Sequence, residues 1–454
     1  SSTGKQYSTF LGKVMSKNEM EQTVADCMND CESASTPDEI FQLCTTMETL
    51  SAALSCEEHA EVASKTHLAY SLVNVIAKAS AMENEEQKTP LLNATLKSLG
   101  NYTAKQEIST ELGAAAWVCN VLRTEPESAL ASLECIRDIA LDTTNCMDLV
   151  EQTAVELVAW KMAEQPNDQL VQNAGMAALG SIIKSAGYEN IKDRCEAAGV
   201  STIAQTLLKS ELISQEDSNM ETCINGLKMF ESMDSKSLVV NGGLNVTIDV
   251  LETHCFSTNP EETDDGEIDD EQRHISKTEA MRIGLGVLSE ASRGRQDVAD
   301  DMVTKGTVNK VLSYHLKNEN SFADTQTASC CLDLLSHVSA SEGLDKKKAS
   351  ECIVEAMTLN PTNKEIMNKG GNMLSAYITK DDLSKKLAQS TDDILVFDDQ
   401  STKVEVAKAA KNLATVATMS SATGILDESN AQCANQLLEV PSKMLTQTKG
   451  KGKE

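Results

Sequence analysis

Proline is nearly missing: 7 residues in a chain of 454, with glycine held to 22, leave long stretches that nothing interrupts. Aromatics make up only 3%, whereas Ala, Leu, Ser, Glu, Lys and Met fill those stretches, a composition that favours helix over strand. Basic charge is scarce as well, with 40 Lys and Arg against 69 Asp and Glu and a net charge of −29. Such a field repels phosphate backbones and anionic headgroups, which argues against nucleic-acid and membrane-surface partners and leaves proteins, including ones with basic segments. None of the 14 cysteines falls in a Cys-x-x-Cys pair. Most lie in apolar helical stretches, where a reduced thiol is a small hydrophobe, so the expected setting is reducing and cytoplasmic. No apolar run approaches the roughly 18 residues of a membrane span, and the sequons at Asn93, Asn101 and Asn245 read as chance matches in a protein that is not secreted. Ser1 to Asn18 carries three Lys, no acid and no Arg, which reads as a tail rather than a transit peptide.

Catalytic and ligand motifs are lacking too. The stretch from Asn259 to Gln272 packs eight acidic residues around an Asp-Gly core and invites a calcium-loop reading. With Gly266 at the sixth position, Glu261, Thr263, Asp265, Glu267 and Asp269 occupy the odd ligand positions. The closing bidentate carboxylate is replaced by Gln272, and Pro260 stands where a helix would enter, so the template fails. The reading is an acidic disordered insertion over 256–275, a solvated linker first and, as the alternative, a contact loop for a basic partner through Glu261, Glu262, Asp264, Asp265, Glu267, Asp269 and Asp270. Gly284-Leu-Gly286 sits inside an apolar helix and Gly370-Gly371 lacks a following Lys-Ser/Thr, so both read as close-packing positions rather than phosphate loops. The six His include no His-x-x-x-His, His254-Cys255 has no local metal partner, and no nucleophile, base and orienter share a local spacing. The expectation is a non-enzyme with no metal and no cofactor.

What is present is a repeat. A Leu or Ile followed three residues later by a second large apolar residue recurs as Leu96/Leu99, Ile136/Ile139, Leu179/Ile182, Leu227/Phe230, Leu285/Leu288, Leu332/Leu335, Leu374/Tyr377 and Leu413/Val416. Intervals between second members are 40, 43, 48, 58, 47, 42 and 39 residues, and the outlier of 58 spans the acidic stretch. Gly113, Gly199, Gly243 and Gly306 each precede an apolar helix and predict a sharp turn between a short helix and a longer one.

The segment from Ala197 to Leu208, with Asn173 to Ile183 before it, resembles the second and third helices of the armadillo-repeat family. The resemblance implies an all-α, right-handed superhelical α-solenoid of about nine armadillo- or HEAT-like repeats over 38–441, with third helices lining a groove. An N-terminal tail and capping helix (1–37) and a basic tail (442–454) flank it. The nuclear import adaptors of this family carry Trp-x-x-x-Asn on the third helix. Here Ala94, Glu134, Ala177, Asn225, Ile283, Cys330, Asn372 and Lys411 stand at the Trp positions. The Asn positions hold Ser98, Asp138, Ser181, Met229, Val287, Leu334, Ala376 and Thr415, so the ladder is missing and a transport adaptor is disfavoured. Ser98, Asp138, Ser181, Met229, Val287 and Asn225 are the candidate groove residues. Acidic excess throughout leaves two readings: a scaffold docking partners in a larger assembly, cytoskeletal or axonemal by family analogy, or an acidic-groove receptor for a polybasic partner such as a small-GTPase tail.

Overall fold

The structure, a computed structural model, describes residues 16–377 apart from 35, 107, 109–111, 215–219, 257–266, 319–320 and 361. The Leu413/Val416 pair, Lys411, Thr415 and the tails 1–15 and 442–454 lie outside the described residues. Those residues form helices and no strand, and the chain divides into two compact units, Ser1–Val246 and Thr247–Glu454.

In the first unit, Ser16 and Glu19 close a capping box on α1 (Lys17–Ser33), and Thr36 and Glu39 do the same on α2 (Pro37–Leu54). Helix triplets follow: α3 (Glu57–Ser64), α4 (Leu68–Ser80) and α5 (Glu85–Thr103) set the pattern. The next repeat has only the longer pair, α6 (Ala114–Thr124) and α7 (Ala129–Ile139). Full triplets return with α8 (Thr143–Glu151), α9 (Ala154–Glu164) and α10 (Gln169–Ala186), then α11 (Tyr188–Ala197), α12 (Val200–Ser214) and α13 (Met220–Ser232). After α14 (Ser235–Val240), α15 (Gly243–Val250) carries the chain into the second unit, where a π turn extends it over Leu251–Cys255. There α16 (Glu267–Ser292) is followed by α17 (Gln296–Thr304), α18 (Thr307–Lys317), α19 (Thr325–Val338), α20 (Lys346–Leu359) and α21 (Lys364–Tyr377). Third helices stack on third helices, α2–α5–α7–α10–α13 in the first unit and α16–α19–α21 in the second. Apolar pairs at helical spacing dictate this: Leu96/Leu99, Ile136/Ile139, Leu179/Ile182, Leu227/Phe230, Leu285/Leu288 and Leu332/Leu335 are all buried. Because α16 begins at Glu267, the second half of the expected disordered insertion is instead helix.

Turns between short and long helices run through left-handed residues, Gly113, Gly199 and Gly306 among them. In the α14–α15 turn the left-handed residue is Gly242; Gly243, expected in that role, is the first residue of α15. Before α9 the position is filled by Thr153 at φ 62°, the one non-glycine residue with positive φ among the described residues. A β-branched side chain there is strained by about 1–2 kcal/mol. A Cβ added at Gly113, Gly199 or Gly306 meets nothing within 4 Å, so backbone strain rather than crowding dictates glycine at those turns. Thr153→Gly is therefore expected to stabilise the first unit by about 0.5–1 kcal/mol, net of the flexibility glycine adds to the unfolded chain. A urea midpoint that rises at constant slope would show it; an unchanged or lower midpoint would remove the strain argument.

Second and third helices of one repeat close on a glycine. A Cβ on Gly175 of α10 would lie 2.5 Å from Met162 of α9, one on Gly226 of α13 2.7 Å from Leu208 of α12, and one on Gly370 of α21 2.6 Å from Met357 of α20. Gly284 of α16 meets Leu251 in the same way at 2.7 Å, the close-packing role its sequence context suggested. Twelve cysteines from Cys27 to Cys352, Cys31 not among them, are free thiols, nine of them buried. Burial pushes Cys119, Cys195 and Cys331 up to about 12, so they pack as protonated hydrophobes.

Candidate protein-docking face

Third helices of the first unit touch along one edge and present another to solvent, and the register between them decides which residues a partner can reach. Four of the six groove candidates lie on buried positions. Ser98 is fully buried and its Oγ donates to the Met47 carbonyl of α2 at 2.8 Å. Asp138 packs on α5, where a Cβ on Gly100 would stand 3.0 Å from its Oδ2. Met229 meets α10, its Cα 3.8 Å from where Gly180 would carry a Cβ. In the second unit Val287 is 1% exposed. Ser98, Asp138 and Met229 thus face the preceding repeat, and as placed none of the four is open to a partner, contrary to the expectation of groove residues. Only Ser181 and Asn225 of the six are half-buried and border solvent.

The solvent-facing edge carries Asn93 and Lys97 on α5, Glu134 and Arg137 on α7, Ala177 and Ser181 on α10, and Asn225 and Lys228 on α13. Relative to the first member of each buried pair, Lys97, Arg137 and Lys228 occupy one repeat position, the residue immediately after Leu96, Ile136 and Leu227. At that position α10 has Gly180, where it closes on α13, and its basic residue, Lys184, stands one turn later. A basic side chain thus recurs on four successive third helices of an acidic chain. Arg137 Nε donates to Asp138 Oδ1 at 2.7 Å and its side chain remains 41% exposed. Burial pushes the Asp138 carboxyl up, against the lowering by Arg137. Polar side chains fix the helices behind the edge: Asn101 Nδ2 donates to the Ser51 carbonyl at 2.8 Å, and Thr222 Oγ1 donates to Asn173 Oδ1. The basic position was readable as the residue after three of the repeat markers, Leu96, Ile136 and Leu227, a pattern masked by the acidic total.

In the second unit the corresponding repeat position holds Gly286 and Asp333, and charges of both signs, Glu279, Arg282, Glu290, Glu365 and Lys369, are at least partly exposed on the third helices. Lys369 reaches Asp333 at 2.9 Å and ties α21 to α19. Glu261, Glu262, Asp264 and Asp265 of the acidic contact loop lie outside the described residues, while Glu267, Asp269 and Asp270 fall in the first turn of α16. Among the described residues no three His, Cys, Asp or Glu gather as a metal site, and no helix is long and apolar enough to cross a membrane. His254 and Cys255 lie in the π turn, where Cys255 Sγ contacts the Lys277 carbonyl at 3.7 Å.

No protein-family model matches the chain, and no curated protein does. Among solved structures, the chain is similar to one described as a phosphorylation switch controlling the interaction between cadherin and beta-catenin. That likeness has a TM-score of 0.53 at 10% identity over 87% of this chain and 72% of the other. A crystal structure of an engineered protein aligns at a TM-score of 0.44 and 14% identity, over 60% of this chain and 98% of that one. With the helix triplets and their stacked third helices, the first of these likenesses places the chain as an all-helical α-solenoid of armadillo-like build.

Proposed function

We propose that the protein is a non-catalytic docking scaffold, and that the third-helix edge of its first unit receives an extended partner segment carrying acidic side chains. The observation behind this is the basic residue that recurs on α5, α7, α10 and α13, at one repeat position on three of them. Solenoids use such edges because stacked repeats present the same position at regular spacing. Neighbouring helices pack about 8–10 Å apart, and an extended chain advances about 3.3 Å per residue, so an acidic residue at every third position keeps step with the ladder. Likeness to a structure concerned with cadherin and beta-catenin supports a protein partner in general terms. A polybasic partner fits this edge poorly, since Lys97, Arg137 and Lys228 would face its charges.

A labelled extended peptide with Asp at every third position, in a Ser background, is the probe. Binding should weaken at least tenfold in the triple variant K97E/R137E/K228E and fall steeply between 50 and 300 mM salt, as exposed charges demand. Equal affinity for wild type and variant would sink the reading, and tighter binding of a Lys-substituted control peptide would favour the acidic-groove alternative.

A further inference from the structure

Tyr314 and His315, near the end of α18, border an open cavity of about 630 Å3 within the second unit. Ile275, Met281 and Arg282 of α16 and Ala323 before α19 form more of its wall. The size falls in the range of about 300–1,000 Å3 typical of small-molecule pockets. Aromatic rings are rare in this chain, yet here Phe256, Tyr314, His315 and Phe322 run ring to ring, with centroids 5.7, 5.4 and 4.4 Å apart. The wall therefore offers π faces and edges.

Most polar groups around the cavity are already engaged. Asn318 Nδ2 donates to the Tyr314 carbonyl at 2.7 Å, Ser321 Oγ to the His315 carbonyl at 3.2 Å, and Asp324 accepts from the backbone N–H of Thr327 at 2.8 Å. His315 differs: it is 1% exposed, and neither ring nitrogen has a hydrogen-bond partner. Burial holds the imidazole neutral, pushing its pKa down to about 3, so it presents one N–H donor and one lone pair. Charged groups in the wall are Arg282 against Glu279 and Asp324, and Arg282 acts on the Asp324 carboxyl, so no spare cation awaits an anionic ligand.

We propose that this cavity binds a small uncharged aromatic alcohol, its ring against Tyr314 and its hydroxyl hydrogen-bonded to the His315 imidazole at the cavity floor. A hydroxyl can give or accept, so either tautomer of the ring is matched. The site lies in the second unit and does not depend on the basic edge of the first.

The test titrates the full chain with 2-naphthol, naphthalene and 2-naphthoate, and follows the His315 ring nitrogens by long-range 1H–15N NMR. Wild type should bind 2-naphthol at least tenfold more tightly than naphthalene or naphthoate, with the ring-nitrogen shifts moving on saturation. His315→Phe keeps a ring beside Phe322 and removes both nitrogens; its affinity for 2-naphthol should fall to that for naphthalene. Equal affinities in wild type, undiminished naphthol binding by the variant, unmoved ring nitrogens, or no naphthol binding up to its solubility limit would each overturn the proposal. Should the variant not fold, the ligand comparison and the ring-nitrogen shifts in wild type decide.

Discussion

Gly226→Ala is expected to destabilise the first unit by about 1–3 kcal/mol, although it adds a single methyl group to a helix that would otherwise welcome alanine. Helix propensity alone predicts a gain of up to about 1 kcal/mol, so the sign of the effect separates local from tertiary control. The new Cβ would fall 2.7 Å from Leu208 Cδ2 and 2.9 Å from both Cδ1 and Cγ. Leu208 is itself fully buried, so its branch point has to move and not only its methyl ends. Leu208→Ala alone should cost about 2–5 kcal/mol through the cavity it leaves. Combining the two places a methyl group where the leucine stood, and the double variant should be more stable than the sum of the singles by at least about 1 kcal/mol. Urea unfolding of the four proteins measures this coupling. Additivity within about 0.5 kcal/mol would mean that the glycine is not what lets α12 lie against α13.

The same contact shows what a single sequence exposes and what it hides. Apolar pairs three residues apart were legible because burial of a helix face imposes its period on residue type, and the first six pairs are buried as the spacing demanded. Gly284 read as a packing position because it interrupts an apolar helix without a polar neighbour to cap. Its partner, Leu251, was not legible, since the contact depends on how two helices cross. The proposed docking edge differs from the groove residues read in the sequence for a related reason. On a third helix, neighbouring positions alternate within one turn between solvent and the previous repeat, so a shift of one residue turns Lys97 into Ser98 or Lys228 into Met229. Borrowing the register of the nuclear import adaptors made that shift, and the acidic total hid a basic residue recurring on four helices. Thr153 escaped notice because the left-handed turn was sought by its glycine, and threonine carries no such signal. For the acidic stretch, composition argued for disorder as far as Ile275, yet α16 is already helical from Glu267. A long apolar helix downstream extends through polar residues, since propagation adds a hydrogen bond per residue without a new nucleus.

Mild acid should selectively weaken the second unit, and His315→Phe should remove that weakness. The ordinary imidazole pKa of 6.5 is pushed down to about 3 by burial of the ring between Tyr314 and Phe322. Unfolded chains therefore take up this proton near pH 6.5 while the folded unit resists it. The stability tied to the neutral ring is present in full above pH 6.5 and is lost as the pH falls toward 3. Each pH unit in that window removes about 1.4 kcal/mol, so between pH 6.5 and 4.5 the loss attributable to His315 is about 2–3 kcal/mol. Other groups near the ring respond differently: burial raises the Tyr314 phenol, and Asp324 is held below the usual carboxylate range by its capping bonds and by Arg282 despite partial burial. The Tyr314 shift lies above the window; the Asp324 shift begins at the ordinary carboxylate value of 3.8, below the range of pH 6.5 to 4.5, and is shared by both proteins. Subtracting the pH profile of His315→Phe from that of wild type isolates the histidine, because phenylalanine preserves the stack and cannot titrate. Hydrogen exchange at pH 7 and pH 5 then locates the effect: protection in α18 and α19 should drop in wild type and hold in the variant, with the first unit responding alike in both. Parallel profiles for the two proteins would mean that the imidazole finds a partner for its proton in the folded state and is not held neutral by burial.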